Sequence, residues 1–236
     1  MCGRFALNYV LAVLRRVARV QNVRENGLDF SPSNNIAPGE TIPAISDNTI
    51  DLMKWGITSS KISTLIFNVR SETAPEKFSS DISIRRCVIP AEGYFEWDAE
   101  HHPFFFYKKN KELMFLASFY TLNNQCTILT RSAIDKFTLI HPRMPIILSF
   151  DQIALWLSPN WRMLLTSEVP TILFHPVSSL ALKPGSKGPE CIQPIRDPKK
   201  NQKTLDSLIK TTKKTVLDII QKEAMISPPT SLKENK

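Results

Sequence analysis

Short apolar runs separated by polar breaks dominate the chain, and helical stripes are few. Near the start, Val10, Leu11, Val13, Leu14 and Val17 recur at helical spacing, with Arg15, Arg16 and Arg19 on the other side. A helix is therefore predicted over 9–20, capped by Asn8. Asn26-Gly27 and Ser31-Pro32-Ser33 read as loop. From Ile42 onward the runs shorten to strand length. Strands are predicted at 42–46, 49–56, 65–69, 86–90, 92–97, 103–108, 113–119, 126–130, 145–148 and 171–177. Asp47-Asn48 and the segment from Lys108 to Lys111 read as hairpin turns. Helical pieces are predicted at 72–79, 132–139 and 151–157, the last with Asp151 as N-cap, and 183–189 reads as a Pro/Gly-rich loop. Leu205, Leu208, Ile209, Val216, Leu217 and Ile220 mark an amphipathic helix over 203–223, and the end from Ser227 is expected to be disordered. Many strands with no βαβ alternation imply an α+β fold on curved, largely antiparallel sheets.

Composition narrows the class. With 236 residues, 42% hydrophobic and 22% charged, the chain suits one globular body plus a tail, divided at 1–200 and 201–236. No apolar run reaches the ~20 residues of a membrane span. The N-terminus lacks the three-part pattern of a secretory signal. Cys2, Cys87, Cys126 and Cys191 contain no CxxC pair, so they are expected to be reduced thiols in an intracellular protein, with no zinc site. The net charge of +8 points to an anionic partner, nucleic acid first. Residues 183–236 hold 12 basic and 6 acidic side chains, leaving 18 and 16, net +2, for the rest. The charge thus belongs mostly to the C-terminal quarter.

Cys2 is the first candidate for chemistry. Removal of Met1 would leave an N-terminal cysteine, with an amine and a thiol on adjacent carbons. The α-amine has a pKa of about 7.7–8.0, so a neutral fraction exists near pH 7. Such an amine forms a Schiff base with an aldehyde, and the thiol can close a thiazolidine on the same carbon. Gly3 would allow close approach to a bulky ligand.

An ordered set of motifs accompanies Cys2. It runs through Met1-Cys2-Gly3-Arg4-Phe5, Asn35-Ile36-Ala37-Pro38, Trp55-Gly56 and Asn68-Val69-Arg70-Ser71-Glu72-Thr73. It continues with Cys87-Val88-Ile89-Pro90-Ala91-Glu92-Gly93-Tyr94-Phe95-Glu96-Trp97, His141-Pro142-Arg143-Met144-Pro145 and Gly188-Pro189-Glu190-Cys191. This set resembles the SOS-response-associated peptidase (SRAP) family over roughly residues 2–195. The resemblance implies a barrel-like β core flanked by a few helices. It implies recognition of abasic sites in single-stranded DNA and cross-linking through Cys2, with Asn68 holding the reacting end, and Glu96 and His141 as the remaining catalytic residues. Arg4, Arg70 and Arg143 would face the DNA backbone, with Pro38 and Trp55 also on the DNA side. Lyase activity and autoprocessing at Met1 would follow from the same nucleophile.

The residue types suit these roles. A histidine exchanges protons near neutrality, an asparagine amide both donates and accepts, and arginine forks match phosphates. Glu96 is assigned as proton shuttle for Schiff-base formation and His141 as acid/base at the sugar hydroxyl. Structural alternatives are a salt-bridged strand residue for Glu96, a turn cap for His141, and pairing of Arg70 with Glu72 or Glu76. His101, His102 and His175 are read as structural. One departure from the family pattern is the absence of a second tryptophan after Trp55-Gly56, where Ile57-Thr58-Ser59-Ser60-Lys61 follows. Another is the order Tyr94-Phe95, which relocates a hydroxyl. No metal or organic cofactor is called for. Expected partners are abasic single-stranded DNA and candidate replication machinery, with no membrane and a monomeric chain in nucleus or cytoplasm according to source. The competing readings are a non-covalent DNA-binding module and a conventional cysteine hydrolase.

Overall fold

The computed structural model describes residues 2–59, 62–74, 84–183 and 185–195. The predicted helix over 203–223 and the end from Ser227 lie outside the described residues, as do residues 75–79 of the piece predicted at 72–79.

The strands are β1 (Arg4–Leu7), β2 (Asn22–Arg24), β3 (Ser33–Ile36), β4 (Thr41–Ser46), β5 (Thr49–Trp55), β6 (Ile57–Ser59), β7 (Ile62–Ile66) and β8 (Asn68–Arg70). They continue as β9 (Ile84–Ala91), β10 (Gly93–Trp97), β11 (Pro103–Lys108), β12 (Met114–Thr121), β13 (Gln125–Ser132), β14 (Arg143–Pro145), β15 (Ile147–Leu148) and β16 (Ile172–Pro176). Two short α-helices, α1 (Leu11–Val17) and α2 (Ile153–Leu157), join several 3-10 turns. The first sheet is antiparallel in the order β16-β11-β10-β1-β3. The second runs β14-β13-β12-β9-β4-β5-β2, with β8 also on β13 and β15 on β12. Most of its pairings are antiparallel, but β2–β5, β8–β13 and β5–β13 are parallel. The fold is the β-rich, helix-poor class that the sequence pattern predicts.

Local signals read correctly where the structure is local. Asp47 and Asn48 both take positive φ, 44° and 59°, and turn β4 into β5 with Ser46 opposite Thr49. Four expectations need correction. The first helix is shorter than 9–20, begins after Val10, and has no side-chain cap; the Asn8 amide instead donates to the Glu92 carboxylate. The piece at 132–139 is a 3-10 turn, Asp135–Leu139. At 151–157, Ser149 stands at the N-cap, and its amide donates to Gln152 Oε1 at 3.0 Å. The Lys108–Lys111 turn forms, with the Lys111 amide donating to the Lys108 carbonyl at 2.8 Å, but it is not a hairpin. β11 and β12 belong to different sheets, so the turn carries the chain from one to the other.

Alternation along β10 divides the first sheet into two faces. Phe95 packs with Ala6, Phe105, Val177, Ala181 and Cys191 on one side. Tyr94 and Glu96 point to the other, where Tyr94 stacks on Phe106 at 4.8 Å. Gly93 is required at the start of this strand: a Cβ there would lie 2.2 Å from the Phe105 ring and 2.4 Å from the Phe106 carbonyl. Glu92, the lone residue between β9 and β10, carries the chain between sheets and donates its amide to the Ala6 carbonyl at 2.8 Å.

Candidate active site

Two strands from each sheet meet around Cys2. β1 lies against β10, with Arg4 opposite Phe95, and so brings Cys2 to the Glu96 end of β10. β8 and β14 both hang from β13: Asn68 pairs with Ile128, and Arg143 with Ser132. Asn68 Nδ2 donates to the Cys2 carbonyl at 2.7 Å. Its Oδ1 is buried without a hydrogen-bond partner among the described residues. Glu96 is 2% exposed, and its Oε2 lies 3.8 Å from His141 Nδ1. Cys2, Asn68, Glu96 and His141 are therefore brought together as the sequence predicts. Cys2 is fully buried, while Asn68 and His141 are half-buried.

Burial dominates the electrostatics. It raises the Glu96 carboxyl to about 7, against a lowering by the chain's amino-terminal charge. Burial also raises the Cys2 thiol well above its ordinary range, and the Glu96 charge adds to this. His141 is lowered, first by burial, so its neutral form prevails near pH 7. The Arg143 amide must donate, and it lies 3.0 Å from His141 Nδ1. The Arg143 carbonyl lies at the same 3.0 Å from Nδ1, so the Arg143 backbone fixes the ring in either tautomer. The cluster thus holds a carboxyl that exchanges protons near neutrality beside a neutral imidazole.

The arginines take different stations. Arg4 Nη1 donates to Asn35 Oδ1 at 3.2 Å, and buried Asn35 is fixed by donating to the carbonyls of Ala181 and Ser186. Arg70 is exposed. Arg143 is already occupied: its fork meets Glu72 at 2.6 and 2.9 Å, and Nη2 also donates to the Thr130 carbonyl at 2.6 Å. That pair holds Glu72 down at about 2, and it replaces the Arg70–Glu72 pairing considered from sequence. Pro38 sits in a turn closed by the Glu40 amide on the Ala37 carbonyl at 3.2 Å, with Gly39 at φ 90°. Trp55 needs correction as a DNA-facing residue. It is fully buried, its Nε1 donates to the Phe67 carbonyl at 3.0 Å, and its ring packs edge-on against Phe5. It offers no face to a base and instead supports the residue before Asn68.

Sequence reasoning missed Asn35 and Glu72 as organisers. Both stand inside quoted motifs, but their partners lie too far along the chain for spacing to reveal them. His102 pairs with Asp98 at a loop tip, and His175 donates to the Ile192 carbonyl at 2.9 Å, in keeping with structural roles.

The profile of the family described as SOS response associated peptidase (SRAP) matches residues 1–184. The chain belongs to this family. SRAP relatives include the abasic site processing protein YoqW of Bacillus subtilis, 28% identical over 223 residues, covering 82% of this chain and 99% of YoqW. The abasic site processing protein HMCES of Xenopus tropicalis is 25% identical, covering 83% of this chain and 78% of HMCES. A crystal structure of a Bacteroides thetaiotaomicron protein shares the SRAP fold seen here, with a TM-score of 0.70 at 18% identity, covering 82% of this chain and all of that one.

Proposed function

We propose that this chain processes abasic sites in single-stranded DNA by capturing the ring-opened sugar on Cys2 after loss of Met1. The observation that carries the reading is the Asn68 hydrogen bond to the Cys2 carbonyl, which seats the reactive residue beside Glu96 and His141. Relatives named as abasic site processing proteins support the substrate class.

The neutral α-amine attacks the aldehyde carbon, forming a C–N bond and a carbinolamine. Glu96, with its pKa near 7, takes the amine proton and returns it to the departing hydroxyl, releasing one water and leaving an imine. The thiol adds to the imine carbon, its sulfur forming a C–S bond while its proton passes to nitrogen, and the thiazolidine closes. His141 exchanges the proton at the sugar hydroxyl that opens the ring. Asn68 Oδ1 accepts from that opened sugar, a role supported by its lack of a hydrogen-bond partner among the described residues. The raised thiol pKa favours this amine-first order over a conventional cysteine hydrolase, which needs a thiolate at rest. The imine would also permit β-elimination, hence lyase activity.

Intact-mass analysis after incubation with abasic single-stranded DNA tests the reading. The expected product is protein plus DNA minus one water, mapped to Cys2 and abolished in Cys2→Ala. Cys2→Ser should keep the seat, because Asn68 holds the backbone, yet give no SDS-stable thiazolidine. An adduct elsewhere, or active protein retaining Met1, would overturn the mechanism. Non-covalent binding that survives Cys2→Ala with no adduct in the wild type would favour a binding module.

A further inference from the structure

Helix α1 presents Leu14 and, just past its end, Ala18 to the interior, while Arg15, Arg16 and Arg19 are exposed. These three arginines line an open depression of about 600 Å3 whose other walls are the uncharged Ala12, Val20 and Gln21. Among the described residues none of the three makes a salt bridge with an acid. One cation near a helix C-terminus is favourable, but three guanidinium groups lining one depression repel each other. Arg19 adds a second anomaly. It occupies the left-handed region at φ 54°, where glycine or asparagine normally ends a helix. Its side chain explains its presence there: the guanidinium lies 5.0 Å from the centre of the Phe150 ring, which is 42% exposed. Arg19 and Phe150 then share a second depression, of about 430 Å3, with Lys108 and Lys111. Glu112 is its acid, and it pairs with Lys108 at 3.9 Å. Asp151 follows Phe150 in the chain, and Asp47 precedes Asn48, whose carbonyl accepts from the Gln21 amide at 3.3 Å.

Clustered guanidinium forks beside an exposed ring suit phosphates and a stacked base, the chemistry of single-stranded nucleic acid. We infer that the outer face of α1, with Arg15, Arg16, Arg19 and Phe150, is a second contact surface for single-stranded DNA, separate from the Cys2 cluster. It lies beyond the far end of β1 from Cys2, a chain distance of at most about 45 Å. A strand held at Cys2 can therefore reach it. The inference rests on the preceding reading only in taking single-stranded DNA as the partner.

The test uses the full chain and a neutral variant, Arg15→Gln/Arg16→Gln/Arg19→Asn, in which asparagine suits the left-handed position and preserves the fold. Fluorescence anisotropy with lesion-free strands of about 5 and about 25 nucleotides is measured across roughly 50–200 mM salt. The wild type should bind the long strand much more tightly than the short one. The variant should lose at least about tenfold on the long strand, and its slope of log affinity against log salt should fall by about 2, from ~0.7 per phosphate released. Phe150→Ala should lower affinity while leaving the slope unchanged. Cross-linking of a short abasic strand should be equal in wild type and variant; if neither cross-links, the lesion reading fails while the lesion-free titration still decides this one. Wild-type affinity and slope in the neutral variant would overturn the assignment. So would a variant whose only loss is binding to phosphatidylserine vesicles.

Discussion

Glu96 keeps its proton in the folded chain over a pH range in which an unfolded chain has already lost it. Folding favours the protonated form, so the stabilisation is complete below the ordinary value of 4.5 and is lost as pH rises through about 7. The interval corresponds to roughly 3 kcal/mol of burial cost above neutrality. Glu96→Gln removes that cost. Its Tm should match the wild type near pH 4.5 and exceed it by roughly 5–10 °C near pH 8, measured by calorimetry. The same variant should cross-link at least ~tenfold more slowly, since proton transfer by a placed side chain contributes that much or more. A Tm difference that does not change with pH would mean that the carboxyl is not buried as described. Glu96→Gln is thus expected to be more stable yet less active than the wild type above neutrality, the sign of a residue kept for chemistry at the expense of the fold.

At the scale of elements, β8 and the turn after it hold two parts of the site at once. Asn68 grips the Cys2 carbonyl and Glu72 grips the Arg143 fork, whose amide in turn fixes His141. Glu72 is half exposed, so its ion pair contributes no more than about 1 kcal/mol. Glu72→Gln should therefore leave urea unfolding nearly unchanged while shifting the pH profile of cross-linking, because the uncompensated Arg143 charge lowers His141 further. Glu72→Asp should restore part of the profile. Behind the same element, Trp55→Phe keeps the ring but loses the bond to the Phe67 carbonyl, a cost of about 1 kcal/mol. Trp55→Ala should cost about 3–5 kcal/mol, with any loss of DNA binding tracking the loss of folded protein. The Asp47-Asn48 turn was legible because two adjacent residues decide it. β3 was not, because its Ser33-Asn34-Asn35 stretch is polar yet buried, and its partners include the Ala181, Ser186 and Lys187 carbonyls. The grouping of Cys2, Asn68, Glu96 and His141 was legible through ordered motifs, whereas the burial of Trp55 and the capture of Arg143 by Glu72 depend on packing between distant strands.

For the whole molecule, charge is divided among surfaces rather than spread evenly. Residues 183–236 carry net +6 of the total +8, and the rest balances near +2. Deleting 200–236 should weaken salt-sensitive DNA binding yet leave cross-linking at saturating DNA intact, whereas Arg70→Ala should impair both; gel-shift and SDS-stable adduct assays separate the two. The site itself draws on both sheets. Cys2 and Glu96 belong with the first, while Asn68 and Arg143 hang from β13 in the second, and Glu92 alone bridges β9 to β10. A seam of this kind behaves as a strain gauge. A slip of an ångström between the sheets separates the carboxyl from the imidazole while every strand ladder stays paired. Cross-linking should therefore disappear at a urea concentration below the unfolding midpoint seen by circular dichroism, making catalysis the most sensitive report of how well the two halves of the body remain in register.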